Sequence, residues 1–325
     1  MGYRLRVICL WVGALMLIAC NHAPEVTVVV HECAPMPAGR ASACACSLDG
    51  KAYVFAGREG SKYRNDLWQY DPQTDSWSSL GAAPMKARVN ATIAATDGKL
   101  YAGLGYAGSG VYRDSSYLRD WWEYTPATNE WRRLANFPKD NTVAASSIAI
   151  NGIVYVLYGF GWGWTRDIWT YSIAEDRWTL LPHNEQRAKD NGEGCGAMLN
   201  GTYYFGTGYN TYNETQWFAA DLTTDSWTKC ASIPGIGREI SACAASKNYV
   251  YLFGGRYFGG DMTGGEIFET YMRYSPDKDQ WEWCGTMPCG RAENQIAFTI
   301  DGKAYFGLGE SEKGEPITKL YRIED

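Results

Sequence analysis

Histidine is almost absent. His22, His31 and His183 are the only three in 325 residues. A Ser-His-Asp hydrolase would have to use His183, and no nucleophile motif stands beside it. Basic residues are also in deficit, 30 against 36 acids, for a net charge of −6. That disfavours nucleic acid as a partner, since neutralising phosphates needs a basic surface. Gly-rich phosphate loops in a strand–helix context are missing, and the 10 cysteines show no metal-ligand spacing. The sequence therefore implies no metal and no cofactor. What it has in quantity is apolar surface, with 46% hydrophobic and 14% aromatic residues, ample for a buried core and against disorder.

The N-terminus reads as a targeting segment. Arg4 and Arg6 precede an apolar run over residues 7–19, too short for a comfortable membrane span. The run ends in Leu17-Ile18-Ala19-Cys20, which resembles a bacterial lipobox. That resemblance implies cleavage before Cys20, lipidation of Cys20, and attachment to a membrane through buried acyl chains at about 0.8 kcal/mol per CH₂. Asn21 in place of the Asp associated with inner-membrane retention points to the outer membrane, periplasmic or surface-facing. The expected organisation is a signal peptide over 1–19, a lipidated tether over 20–25 and one folded domain over 26–325.

That domain is repetitive. Residues 65–77 alternate with a period of two (Leu67, Gln69, Asp71 against Trp68, Tyr70), turn at Asp71-Pro72, and re-enter a strand at Ser76-Trp77. Variants of this hairpin return about every fifty residues. Glycines 57, 105, 159, 208, 255 and 309 mark the period, each with a tyrosine four residues earlier: Tyr53, Tyr101, Tyr155, Tyr204, Tyr251 and Tyr305. Five repeats end in a tryptophan: Trp77, Trp131, Trp178, Trp227 and Trp281. Four strands per period of this length are the signature of propeller blades.

With Phe-Gly-Gly at 253–255, Asp-x-Trp-x-Tyr at 167–171 and the terminal tryptophans, the segments resemble kelch repeats. The resemblance implies an all-β, six-bladed kelch β-propeller. The sixth repeat lacks its tryptophan strand, and residues 26–37 supply it, aligning Cys33 with Cys284 and Pro37 with Pro288. The N-terminal strand is thus expected to complete the last blade and close the ring. Cys33, Cys230 and Cys284 fall where the first two repeats have Leu80 and Leu134, and Cys44, Cys46, Cys195 and Cys243 sit among small residues on inner strands. All read as small core residues.

Function is expected on the face where the loops vary most. The loops between second and third strands carry Arg58, Tyr106, Trp162, Trp164, Tyr209, Tyr212 and Tyr257, and the starts of inner strands carry Arg40, Arg88, Arg238, Glu239, Arg291 and Glu293. Flat aromatics stack on sugar C–H faces, while Arg and Glu bond hydroxyls or a carboxylate. The arginines are expected to ring the mouth of the central channel and to favour an anionic ligand. Blades three and four break the arginine pattern, so the pocket should be one-sided. Propellers related to the copper radical oxidases use two His and two Tyr ligands, and with His22 in the tether and His31 in the closing strand the sequence argues against such a site. The chain is similar in length, blade number and export to the N-acetylneuraminate epimerases, the sialic acid mutarotases. That resemblance implies acid–base chemistry at an anomeric carbon, but the family's Glu–Arg loop pair is not matched, since Glu214 and Glu310 lack the following Arg. The expectation is a glycan- or surface-protein-binding module, with an anomeric isomerase as the alternative.

Overall fold

A computed structural model describes residues 23–108, 116–140, 142–161, 163, 165–189, 192–210, 212–259 and 265–325, without the Tyr212 side chain. Six antiparallel four-stranded sheets follow one another along the chain. The innermost strands are Cys44–Leu48, Thr92–Thr96, Ser146–Ile150, Cys195–Leu199, Ala242–Ala245 and Ile296–Ile300. Each runs outward through a second and third strand to an outermost one, so blade one reads Cys44–Leu48, Lys51–Phe55, Asp66–Asp71, Ser76–Ala82.

The last blade is completed as expected. Val29–Cys33 pairs antiparallel with Leu320–Glu324, matching Val29 to Glu324 and Cys33 to Leu320. Just upstream, the Val26 N–H donates to the Trp283 carbonyl and the Trp283 N–H to the Pro24 carbonyl, at 2.8 Å each, stitching this segment to blade five.

The repeated tyrosines and tryptophans have a clear mechanical role. All six second-strand tyrosines are buried. In blades one, three and five, a turn aspartate with positive φ (Asp75, Asp176, Asp279) accepts the hydroxyl hydrogen of Tyr70, Tyr171 or Tyr274 at 2.6–2.7 Å. The same carboxylates accept the backbone N–H of Ala34, Ala135 or Ala231 in the neighbouring blade. Two residues later, Trp77, Trp178 or Trp281 donates its indole N–H back to the carbonyl of that same alanine. Short polar side chains tolerate the left-handed turn, and an indole brings both apolar bulk and one donor. Blade four departs: Ala220 replaces the tyrosine, and Asp225 is claimed instead by Arg187, at 2.9 and 2.6 Å, and by Asn184.

Two rings of left-handed backbone define the loop face. At the end of each second strand, glycines 57, 105, 159, 208, 255 and 309 hold φ of 86–102°, and at 57, 105, 159, 255 and 309 a Cβ would meet carbonyl or side-chain atoms of the entering loop. Two residues before each inner strand, Ser42, Asn90, Ala144, Glu193, Ile240 and Asn294 also have positive φ. Consecutive members are bonded blade to blade: Ser42 N–H to Asn294 O, Asn90 to Ser42, Ala144 to Asn90 and Ile240 to Glu193, at 2.9–3.2 Å. This backbone collar frames the channel entrance.

Candidate functional site

Immediately outside the collar, each blade pairs one residue of its entering loop with the residue after its marker glycine. The pairs are Ala41 with Arg58, Val89 with Tyr106, Val143 with Phe160, Gly192 with Tyr209, Glu239 with Arg256, and Glu293 with Glu310. The six equivalent positions divide by chemistry. Blades two to four present aliphatic and aromatic residues, while blades five, six and one present charges.

The apolar side is a packed cluster: Val89, Tyr106 and Val143 are buried, with Tyr63, Tyr117 and Phe160 half-buried against them. Tyr106 meets Tyr117 edge-on at 5.4 Å. Blades four and five join above the mouth, where Asn213 exchanges side-chain hydrogen bonds with the backbone of Phe258, and Tyr209 meets the Phe258 ring edge-on at 5.6 Å.

The charged side brings together residues far apart in sequence. Arg58 donates to Glu310, which also accepts from Asn294 Nδ2 at 2.9 Å. Arg256 Nη1 lies 3.5 Å from Glu293 Oε2. Glu239 and Glu193 lie side by side, close enough for each carboxyl to perturb the other. Burial raises both carboxyls, and each feels the charge of the other or of Glu293, against the opposing pull of Arg256; Glu239 is pushed up to about 8. Burial and the nearby Glu310 likewise raise Glu293, despite Arg256 and Arg58. Glu239, Glu293 and Glu310 are all more than nine-tenths buried. Below them lies a cavity of about 220 Å³ at the channel entrance, lined by residues of all six blades, including Glu193, Asn294 and Gln295.

The expected arginine ring is corrected. Arg40, Arg88 and Arg238 are buried, at 1%, 0% and 1% exposure, and turn between strands rather than toward the mouth. Arg40 pairs with Asp66 at 2.5 Å, and Arg88 grips Asp120 through two bonds of 2.8 and 2.9 Å and donates to the Leu104 carbonyl. Arg238 donates to the Gly254 carbonyl at 3.1 Å beneath the Phe268 ring, and burial lowers it to about 10. A guanidinium carries five fixed donors, and the strand-end carbonyls and aspartates of its own blade lie nearest. Tyr106 is corrected in the same way, being packed rather than displayed.

Of the other expected residues, Arg58, Glu239 and Glu293 converge at the mouth and Tyr209 stands beside it. Tyr257 is exposed on the blade-five hairpin, and Arg291 turns to the Ile267 carbonyl at 2.6 Å and to Glu266. Cys20, Trp162, Trp164 and the Tyr212 side chain lie outside the described residues. The sequence reading did not place Glu193, Arg256 and Glu310 with them. Aligning the residue after each marker glycine (Arg58, Tyr106, Phe160, Tyr209, Arg256, Glu310) would have exposed the division. Cys44, Cys195 and Cys243 line the channel on inner strands, and burial raises the thiols of Cys44 and Cys243.

Blade number, glycine-marked strand ends and the tyrosine–aspartate–tryptophan clasps define a six-bladed β-propeller closed by its N-terminal strand, and its first part matches a Kelch-repeats family model. Residues 22–161 match the family model described as the KLHDC2/KLHL20/DRC7 Kelch-repeats domain. Curated relatives include Kelch-like protein 25 of Xenopus tropicalis, 27% identical over 264 residues, covering 78% of this chain and 42% of the relative. Kelch-like protein terF of Aspergillus terreus is 25% identical, covering 74% and 52%. The N-acetylneuraminate epimerase of Yersinia enterocolitica is 27% identical over 211 residues, covering 64% and 50%. The chain thus spans about half the length, or less, of these relatives. The solved structure of YjhT superposes with a TM-score of 0.75 at 15% identity, covering 90% of this chain and 99% of that one, a likeness of fold.

Proposed function

We propose that this propeller is a binding module that takes a glycan at the channel mouth, its apolar side against the sugar's C–H face and its charged side against the hydroxyls. The observation that carries this reading is the two-sided ring of equivalent positions over an open cavity, with the half-buried Phe160 and Tyr209 on its aromatic side and Arg58, Glu239, Arg256, Glu293 and Glu310 on its charged side. A sugar has the same division between an apolar face and a polar perimeter, and the few convergent polar groups can fix its orientation.

A second reading, isomerisation at an anomeric carbon, is favoured by one specific feature. Burial raises the Glu239 carboxyl toward the range of a general acid, beside the Glu193 carboxyl, and an acid next to a base is what ring opening and closure require. The similarity to an N-acetylneuraminate epimerase points the same way. The test of both is proton NMR of the purified protein with a panel of sugars, recording saturation transfer and anomer exchange together. Saturation transfer without faster exchange is expected for a binding module, and faster exchange identifies the isomerase. If no sugar shows either, the glycan reading fails and a protein ligand takes its place.

Export and anchoring through Cys20 belong to the same proposal, supported by the lipobox-like sequence. Cys20→Ser is expected to move the protein from the membrane to the soluble fraction, and an unchanged distribution would refute the anchor.

A further inference from the structure

We propose that Cys195 and Cys243 are the site of an inter-blade disulfide near the entrance of the central channel, formed by exchange with a small-molecule disulfide and clamping blade four to blade five. The inference is independent of the glycan reading.

Strand register places the two sulfurs together. The first residue of an inner strand turns toward the following blade and the second toward the preceding one. Blades two and three show it directly, where Thr92, first in its strand, donates its hydroxyl hydrogen to Ser147, second in the next, at 2.6 Å. Blades three and four agree: Ser146, first in its strand, meets the Tyr203 hydroxyl at 2.7 Å, in the space that Gly196, second in the next, leaves open. Cys195 comes first in blade four and Cys243 second in blade five, the positions of Thr92 and Ser147. Both belong to the one hydrophobic cluster packed between those blades. Just upstream the two chains are already joined, the Ile240 N–H donating to the Glu193 carbonyl at 3.2 Å. Side chains whose γ atoms touch bring their Cβ atoms close to the separation of about 3.5–4.5 Å that a disulfide requires. Cys44 is the only other cysteine at the first two positions of any inner strand, and it packs with Ile93 between blades one and two.

The two sulfurs differ in reach. Both are free thiols on the wall of the entrance cavity, Cys195 half-buried and Cys243 at 8% exposure. Burial and the neighbouring Cys195 raise the Cys243 thiol, and the Arg238 guanidinium opposes them. Arg238 is itself buried without a carboxylate at ion-pair distance among the described residues, and its charge acts on both sulfurs. A cation beside a thiol favours the thiolate, which is the attacking species. Cys195, the more accessible of the pair, is therefore the entry sulfur.

Exchange proceeds in two steps. Cys195 gives its proton to solvent and its sulfur attacks a reagent R–S–S–R, breaking the S–S bond, releasing RS⁻ and leaving a mixed disulfide. Cys243, deprotonated in turn, attacks the Cys195 sulfur and expels the second RS⁻. Two protein thiols are oxidised to one disulfide, and one reagent disulfide is reduced to two thiols that take up the two protons. Export, as proposed above, would place the pair where disulfides persist.

The test exposes the folded, reduced full chain to cystamine, traps remaining thiols with N-ethylmaleimide in denaturant, and maps peptides by mass spectrometry without reduction. A peptide linking Cys195 to Cys243 is expected, with the thermal midpoint raised by about 5 °C or more and both effects reversed by dithiothreitol. Cys243→Ser should stop at a cysteamine adduct on Cys195, and Cys195→Ser should leave Cys243 a free thiol. Cys195→Thr combined with Cys243→Ser copies the Thr92–Ser147 pair, so it should fold, form no link and keep its midpoint in cystamine. Trapping of both sulfurs by N-ethylmaleimide after exposure, separate adducts on the two without a link, or linkage of either to another cysteine would overturn the proposal.

Discussion

Arginines at similar places in the repeat end in different electrical circumstances, and each environment dictates its own response to substitution. Arg88 is wholly buried and bidentate to Asp120, whose carboxyl is lowered because that grip outweighs its burial. Removing one partner of a buried pair leaves the other uncompensated, so Arg88→Ala is expected to cost about 3–5 kcal/mol in chemical unfolding. Arg238 is as deeply buried, but no carboxylate lies within ion-pair distance of it among the described residues, and its Nε has no partner. Its charge already stands as a burden, so Arg238→Met should be neutral within about 1 kcal/mol or stabilising. A loss at Arg238 as large as at Arg88 would contradict the account. Sequence reading grouped these residues because it saw a recurring Arg at loop ends; whether an acid waits across the blade, as Asp66 and Asp120 do, depends on a residue some thirty positions away.

At the level of elements, the blades were legible because their repeated parts are mechanical. Tyrosines fill the wedge, glycines hold the left-handed strand ends, and tryptophans reach the next blade, so period and residue type alone mark them. The closing strand was legible for the same reason, since residues 26–37 carry the outer-strand pattern missing from the sixth repeat. The site was only partly legible. Arg58, Glu239 and Glu293 could be suspected singly, but their union with Glu193, Arg256 and Glu310 is created by ring closure, which brings blade one beside blade six. Deleting residues 26–30 removes part of the strand paired with Leu320–Glu324 and the Val26 link to Trp283. It also strips Val26, Val28 and Val30 from the core between blades five and six. Thermal unfolding is expected to shift down by many degrees in one transition, and an unchanged midpoint would sink the closure argument.

For the molecule as a whole, two sets of carboxyls bound its pH range. Glu193, Glu239 and Glu293 are raised in the folded state, so the stability they lend is complete below the ordinary carboxylate range. It is lost as pH rises through about 8 for Glu239, at up to about 1.4 kcal/mol per unit per group. Asp120, Asp167 and Asp225 are lowered, their burial overcome by Arg88, Lys139 and Arg187 respectively, and their contribution is lost as pH falls below the ordinary range. Thermal midpoints should therefore peak in mild acid, near about pH 5, and decline on both sides. Glu239→Gln should flatten the alkaline limb alone; an alkaline limb unchanged in that variant would refute the assignment. The closing strand has one more consequence, which concerns time. His31 and Glu324, side by side in blade six, are 293 residues apart in the chain. Five blades can assemble from near neighbours as they are synthesised, but the sixth cannot exist until the last strand is made and finds the first. Until then blade six keeps an open edge able to pair with another chain. The mouth, whose charged side spans blades five, six and one, is accordingly the last part of the molecule to form.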